Sequence, residues 1–196
     1  MKTFDIKGVE RKDVGKKSTK AVRKNEQVPC VIYGGKENIH FAVEKKAFQY
    51  LVYTPNVYIV NIDIDGKKYQ AIMQDIQFHT VTDEIEHIDF FEVNEKRPVS
   101  ILIPVKLTGL AEGVKQGGKL MLKQRKLKVK GLVKDFPDTL DVDITSLTLG
   151  KSVKVGECNF DNLELLDNKN SVIATVRLTR SAMSAKADTA EGEAAE

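Results

Sequence analysis

The sequence predicts a mainly β protein in two parts, with two short helices in the first part. Three observations support this. Apolar and polar residues alternate over most of the chain, as in Val99, Ile101, Ile103, Val105 and Leu107. Helical spacing is confined to two brief stretches before Pro55. Arg97-Pro98 then divides a mixed half from one that is almost purely β in pattern. The expected boundaries are 1–95 for the first domain, 97–180 for a second all-β domain and 181–196 for a tail.

In the first half, Ser18 is the expected cap of a helix over residues 19–25, because a hydroxyl satisfies free N–H groups at a helix start. Lys20, Arg23 and Lys24 then fall at i, i+3 and i+4, forming one cationic stripe. A second short helix is expected over residues 44–53. It turns Ala47, Phe48 and Leu51 inward, and Pro55 ends it. His40 is expected just before a strand. In the run VYIVNIDI, Tyr58, Val60, Ile62 and Ile64 share a face. Asp65-Gly66 is a strong two-residue hairpin signal. Its return strand is expected over 67–73, with further strands over 75–81 and 84–93. His79 reads as a polar group of a strand or turn.

In the second half, a strand over 99–107 leads into a loop holding Gly109, Gly113, Gly117 and Gly118, with no helix expected after it. Lys126, Lys128 and Lys130 face away from Leu127 and Val129, the pattern of a half-buried strand. Leu140, Val142 and Ile144 repeat that pattern with Asp141 and Asp143 outward. A last strand is expected over 172–178. The tail SAMSAKADTAEGEAAE is low in hydrophobicity and is expected to be disordered.

Apolar residues make up 41% of the 196, enough for a packed core. No run approaches the ~18 apolar residues of a membrane span, and MKTFDIKGVE lacks the apolar stretch of a secretory signal. Cys30 and Cys158 fit no zinc spacing and read as reduced thiols of a cytosolic protein. The net charge is only +3 but is unevenly spread. Residues 1–40 carry ten Lys and Arg against five acids, and residues 115–134 carry eight against none. Residues 83–95 hold six acids and no Lys or Arg, and the tail is acidic. Basic stretches of this kind raise local affinity for phosphates, although a solvated face has the same composition.

Gly15-Lys16-Lys17-Ser18 is not a nucleotide-binding loop. That fingerprint needs a glycine where Glu10 stands, and a second lysine separates Lys16 from Ser18. A helix start there still offers outward N–H groups to a backbone phosphate. His40, His79 and His87 form no metal cluster. His87 and Asp89 leave one face of a strand, and Ile88 and Phe90 leave the other. As a catalytic dyad the pair needs a nucleophile, and Ser18, Thr80 and Thr82 lie in no nucleophile-elbow context. As a surface contact it is ordinary. As an RNA contact, imidazole and carboxylate reach base edges and 2′-hydroxyls in a shallow minor groove.

The order and spacing of several short motifs resemble a known family. In the first half these are Arg11, Gly15-Lys16, Ala21-Val22-Arg23, Val28-Pro29, Val31-Ile32-Tyr33-Gly34, Gln77-Phe78-His79 and His87-Ile88-Asp89-Phe90. In the second they are Gly109, Ala111-Glu112-Gly113-Val114, Gly117-Gly118 and Val142-Asp143-Ile144. From about Val9 to Leu178 the chain resembles the bacterial large-subunit ribosomal protein twenty-five family, which binds 5S rRNA. The longer two-domain form, the general stress protein CTC, is the nearer pattern. The resemblance implies a six-stranded barrel-like N-terminal domain that grips 5S rRNA at its loop E region, through Arg11, Arg23, Tyr33, His87 and Asp89. Lys16, Ser18 and Gln77 are further candidates, beside Lys20 and Lys24 of the cationic stripe. One departure is that Lys24-Asn25-Glu26-Gln27 replaces the usual basic-small-glycine run before the proline.

The expected function is therefore a structural RNA-binding protein of the large ribosomal subunit. Its partners would be 5S rRNA and other subunit components, in the cytoplasm. No metal, cofactor, membrane or small-molecule substrate is implied. The competing readings are an enzyme using His87 and Asp89, and a protein-interaction module using strand surfaces of the second domain.

Overall fold

The computed structural model describes residues 1–35, 37–94, 97–160 and 162–179. The proposed tail over 181–196 lies outside the described residues. No described helix is long and apolar enough to cross a membrane. The chain divides into two compact units. One is Met1–Ile101 with Gly131–Asp138, and the other is Leu102–Lys130 with the described residues from Thr139 onward.

The first unit is built on a closed six-stranded barrel. In chain order its elements are β1 (Lys2–Glu10), helix α1 (Lys16–Lys24), β2 (Gln27–Tyr33) and β3 (Ile39–Glu44). A 3-10 turn (Lys45–Phe48) then runs into α2 (Gln49–Val52), followed by β4 (Tyr58–Ile64), β5 (Lys67–Phe78) and β6 (Ile85–Glu92). Around the barrel the order is β1-β3-β2-β6-β5-β4, and β1 closes it by pairing parallel to β4. Closure leaves no open sheet edge. Inward side chains fill the interior. Phe90 lies 5.9 Å from the Phe41 ring and 6.3 Å from the Phe48 ring, and Ile32, Ile62 and Ile88 are fully buried with them.

Several sequence expectations hold for this unit. Val60, Ile62 and Ile64 point inward with Tyr58 packed beside them, and Phe48, Leu51 and Ala47 join the same core. Asp65 and Gly66 both have positive φ (49° and 87°), as the two-residue hairpin requires.

Others need correction. The strands expected over 67–73 and 75–81 are one strand, β5, with a bulge. Met73 pairs with Phe90 and Asp75 with Asp89, leaving Gln74 as the extra residue. The second helix begins at Lys45 because β3 continues through Glu44. His40 lies inside β3, opposite Val31, and not before a strand. Ser18 does not cap α1. Gly15 holds that position with φ 153° and ψ 173°, a backbone state open essentially to glycine, and no side chain caps the helix.

The second unit carries two sheets and no long helix. Its strands are β7 (Val99–Thr108, whose first residues belong to the first unit), β8 (Lys119–Leu122), β9 (Lys126–Gly131) and β10 (Leu140–Asp143). They continue with β11 (Ser152–Lys154), β12 (Glu164–Leu165) and β13 (Val172–Arg177). The sheet orders are β10-β7-β9-β12 and β11-β13-β8. Alternation places Leu127, Val129, Leu140 and Val142 in the core and leaves Asp141 and Asp143 exposed. The glycine-rich loop leads into strand β8 and not into a helix, as expected, and within it lies the single turn α3 (Glu112–Lys115). The Gly118 N–H donates to Gly113 O (2.8 Å) and closes that turn, and the Gly113 N–H donates to Leu147 O (2.9 Å).

Candidate nucleic-acid interface

The outer face of β6 organises the site. His87 and Asp89 point outward as expected, with Ile88 and Phe90 fully buried on the other side. The His87 Nδ1 lies 2.7 Å from Asp89 Oδ1, with side chains 27% and 29% exposed. The contact turns the Nδ1 edge of the ring toward the carboxylate and leaves the Nε2 edge for other partners. Across the sheet Gln77 stands opposite His87, and Asp75 stands opposite Asp89. On the other flank, parallel β2 sets Val31 beside Asp89 and Tyr33 beside Phe91.

Tyr33 is supported from several sides. Its ring meets Phe91 edge-on at 5.7 Å and 81°. Burial, then the carboxylates of Asp89 and Asp75, hold its phenol pKa above the usual value, so it remains a neutral donor. Gly34 follows with φ 94°, and a Cβ there would stand 2.6 Å from the Phe91 ring. Glycine is required at that turn on both counts. Arg97 Nη1 donates to Gly34 O (3.0 Å) and fastens the turn.

Helix α1 packs along β2. It carries five cations and no acid, and Lys16, Lys17, Lys20 and Lys24 are exposed with no ion pair among the described residues. Arg23 is different. Its Nε and Nη2 both donate to the Glu86 backbone oxygen (3.2 and 3.1 Å), and its guanidinium lies 3.8 Å from the Glu86 carboxylate. Glu86 is the extra residue of a second bulge, since Gln77 pairs with His87 while Phe78 pairs with Ile85. A bulged carbonyl lacks a ladder partner. Arg23 supplies one, and so ties α1 to β6 next to His87.

Arg11 acts similarly at the other end of the helix. Its Nη2 donates to Ser18 Oγ (3.2 Å), Thr19 Oγ1 (3.4 Å) and Asp13 O (3.4 Å), and Ser18 Oγ donates to Asp13 O (2.9 Å). Ser18 is therefore a bracing group and no activated nucleophile. The described residues hold no cluster of three His, Cys, Asp or Glu suited to a metal.

The structure thus gathers Tyr33, Gln77, His87 and Asp89 on one outer face, with α1 along the adjoining β2. Sequence reasoning missed Phe91 and Asp75 as neighbours of that face. Phe91 was detectable, being two residues beyond Asp89 on the same strand. Asp75 was not, because the bulge at Gln74 sets its register.

Comparison with known proteins gives matches along nearly the whole chain. Residues 6–90 match the Ribosomal L25p family, and residues 98–180 match the C-terminal domain of ribosomal protein TL5. A protein of Azobacteroides pseudotrichonymphae named large ribosomal subunit protein bL25 is 55% identical over 185 residues, covering 94% of this chain and 98% of that one. The chain belongs to the bL25 family of large ribosomal subunit proteins. Members in Phocaeicola vulgatus (51% identical, 95% and 98% covered) and Porphyromonas gingivalis (49%, 94% and 97% covered) carry the same name.

Membership bears out the expected family and the six-stranded barrel followed by a β-rich second part. Proteins of the bL25 family are ribosomal components and not enzymes. His87 and Asp89 are accordingly no catalytic dyad, and their close contact is a feature of a binding surface or of the fold.

Proposed function

We propose that this bL25-family chain is a component of the large ribosomal subunit that binds 5S rRNA through its barrel, on the cytoplasmic ribosome. Residues 1–95 act as the RNA-binding domain and residues 97–180 as a second β domain. Exposed Lys16, Lys20 and Lys24 neutralise phosphates and set position. Tyr33, Gln77, His87 and Asp89 present a ring face, an amide, an imidazole and an anionic acceptor, groups that suit 2′-hydroxyls and base edges of a wide minor groove. Arg23 ties α1 to that face, and Arg11 braces the start of the helix. The main support for this reading is the joining of a cationic helix to a half-exposed polar row by the Arg23 contact with bulged Glu86.

A titration of 5S rRNA with the whole chain at several salt concentrations tests it. Affinity should fall steeply with salt, with a log–log slope of roughly −0.7 to −0.9 per phosphate neutralised. A slope near zero would refute a phosphate-clamped complex.

A further inference from the structure

We propose that the second unit carries its own RNA-backbone surface, made by Lys123 and Arg125 in the turn before β9 and by Lys126 and Lys128 on its outer face. All four are exposed, and Leu127 and Val129 are fully buried on the opposite face. Two nearby lysines serve as a contrast, because each lies opposite an acidic residue on a neighbouring strand. Lys130 Nζ lies 3.1 Å from the Glu164 carboxylate, and Lys106 stands in register beside Asp141. Lys123, Arg125, Lys126 and Lys128 have no acidic side-chain partner among the described residues. The Asp167 carboxylate next to Lys128 accepts from the Lys128 backbone N–H (2.8 Å) and forms no ion pair with its ammonium.

Protection of a sheet edge does not explain these cations. Lysines often guard unpaired edges, but β9 lies between β7 and β12. Beyond β12, the Leu166 N–H donates to Lys128 O (2.9 Å), and Asp167 occupies the Lys128 N–H, so the backbone there is already paired. Strand lysines are disfavoured, and like charges two residues apart repel. The two strand lysines stand about 6.7 Å apart on a flat pleat, with two more cations in the turn before them. A continuous row of this kind fits a polyanion with regular charge spacing, and within a ribosome that polyanion is RNA. Lysine ammoniums act as mobile point charges, so the contact reads backbone and not sequence.

The test uses the full chain and a blunt RNA duplex of about 16 base pairs, the span of a shape-reading domain. Lys123→Gln, Arg125→Gln, Lys126→Gln and Lys128→Gln are combined, with circular dichroism confirming the fold. Removing four phosphate contacts should make the log–log salt slope shallower by about 3, and binding should weaken at least tenfold at low salt. A folded variant with unchanged slope and affinity overturns the proposal. A second measurement needs no variant, namely acetylation of lysines in the natural chain with and without the duplex. Protection of Lys126 and Lys128 supports the surface. No protection by the duplex, or protection by polyglutamate alone, overturns it. None of the substituted or acetylation-scored residues lies in α1, so failure here leaves the barrel's reading intact. Lys16→Gln, Lys20→Gln and Lys24→Gln report on that one separately.

Discussion

Replacing Asp89 by alanine should separate binding from folding. Asp89 is only partly buried, and its one recorded partner is His87 at 2.7 Å. A half-exposed pair of this kind contributes roughly 0–1 kcal/mol. Against that loss, Asp75 stands directly opposite Asp89 in the β5–β6 register, and like charges in that position destabilise a sheet by a few tenths of a kcal/mol or more. The two effects oppose each other, so stability should change by less than about 1 kcal/mol. RNA affinity should drop by about 1–3 kcal/mol, because donors buried against the carboxylate lose their acceptor. That corresponds to a Kd weakened roughly 5- to 150-fold. Asp89→Asn should hurt less if shape dominates, and as much if the anionic acceptor is what the RNA requires. Phe90→Ala is the internal control. The ring is fully buried against Phe41 and Phe48, so its loss should cost about 3–5 kcal/mol of stability through the cavity left behind. Urea melts and 5S rRNA titrations on both variants give the comparison. If Asp89→Ala unfolds the barrel while the folded fraction binds RNA normally, the pair is structural and the site is misassigned.

Two further outcomes follow from the local geometry. Glu26 has φ 57°, and no hydrogen bond or ion pair holds its side chain among the described residues. Left-handed strain of about 1–2 kcal/mol, less the ~0.5–1 kcal/mol entropy cost of glycine, predicts that Glu26→Gly stabilises the chain slightly. A lower urea midpoint would show that the Glu26 side chain contributes a contact. Burial pushes the Cys30 thiol far above its usual range, whereas Cys158 is raised by partial burial and the neighbouring Glu157. Thiolate is the reactive form. Alkylation of the native protein should therefore modify Cys158 slowly and Cys30 only after denaturation, and rapid labelling of both at neutral pH would contradict that picture.

The features that could be read from sequence depend on one strand or one turn. Asp65-Gly66 announced its hairpin because two adjacent positive φ values select those residue types. His87 and Asp89 shared a face by strand periodicity alone. What stayed hidden depends on two elements at once. The bulges at Gln74 and Glu86 fix which side chains of β5 meet β6, and nothing local in either strand encodes them. β1 escaped notice because Ile6 is its only fully buried residue, so a strand on a small barrel looks polar. β2 carries Pro29, which argues against a central strand. It is tolerated because the β2–β6 pairing begins at Cys30, leaving no β6 partner for that missing N–H. Ser18 misled because a hydroxyl near a helix start suggests a cap, whereas Gly15 holds the capping position and Ser18 braces Arg11.

Barrel closure leads to the last prediction. Every strand of the barrel lies between Lys2 and Glu92, and β1 pairs with both β3 and β4 to close the ring. All ladder hydrogen bonds are therefore internal to that stretch, and no edge is left to aggregate. Gly131–Asp138 belongs to the same compact unit, but none of its residues pairs with a barrel strand. A fragment of residues 1–95 should then unfold cooperatively and keep the groups proposed to read RNA shape. It should lose the row of cations around β9, which is proposed to bind any RNA duplex. Its preference for 5S rRNA over an unrelated duplex should thus be preserved or increased relative to the whole chain, even where absolute affinity drops at low salt. The measurement is the ratio of the two dissociation constants at one salt concentration, for fragment and whole chain. An unfolded fragment would show that residues 97–101 or 131–138, which belong to the same compact unit, are needed to complete its core. A folded fragment without preference, alongside a 97–180 fragment that has it, would move the specific site out of the barrel.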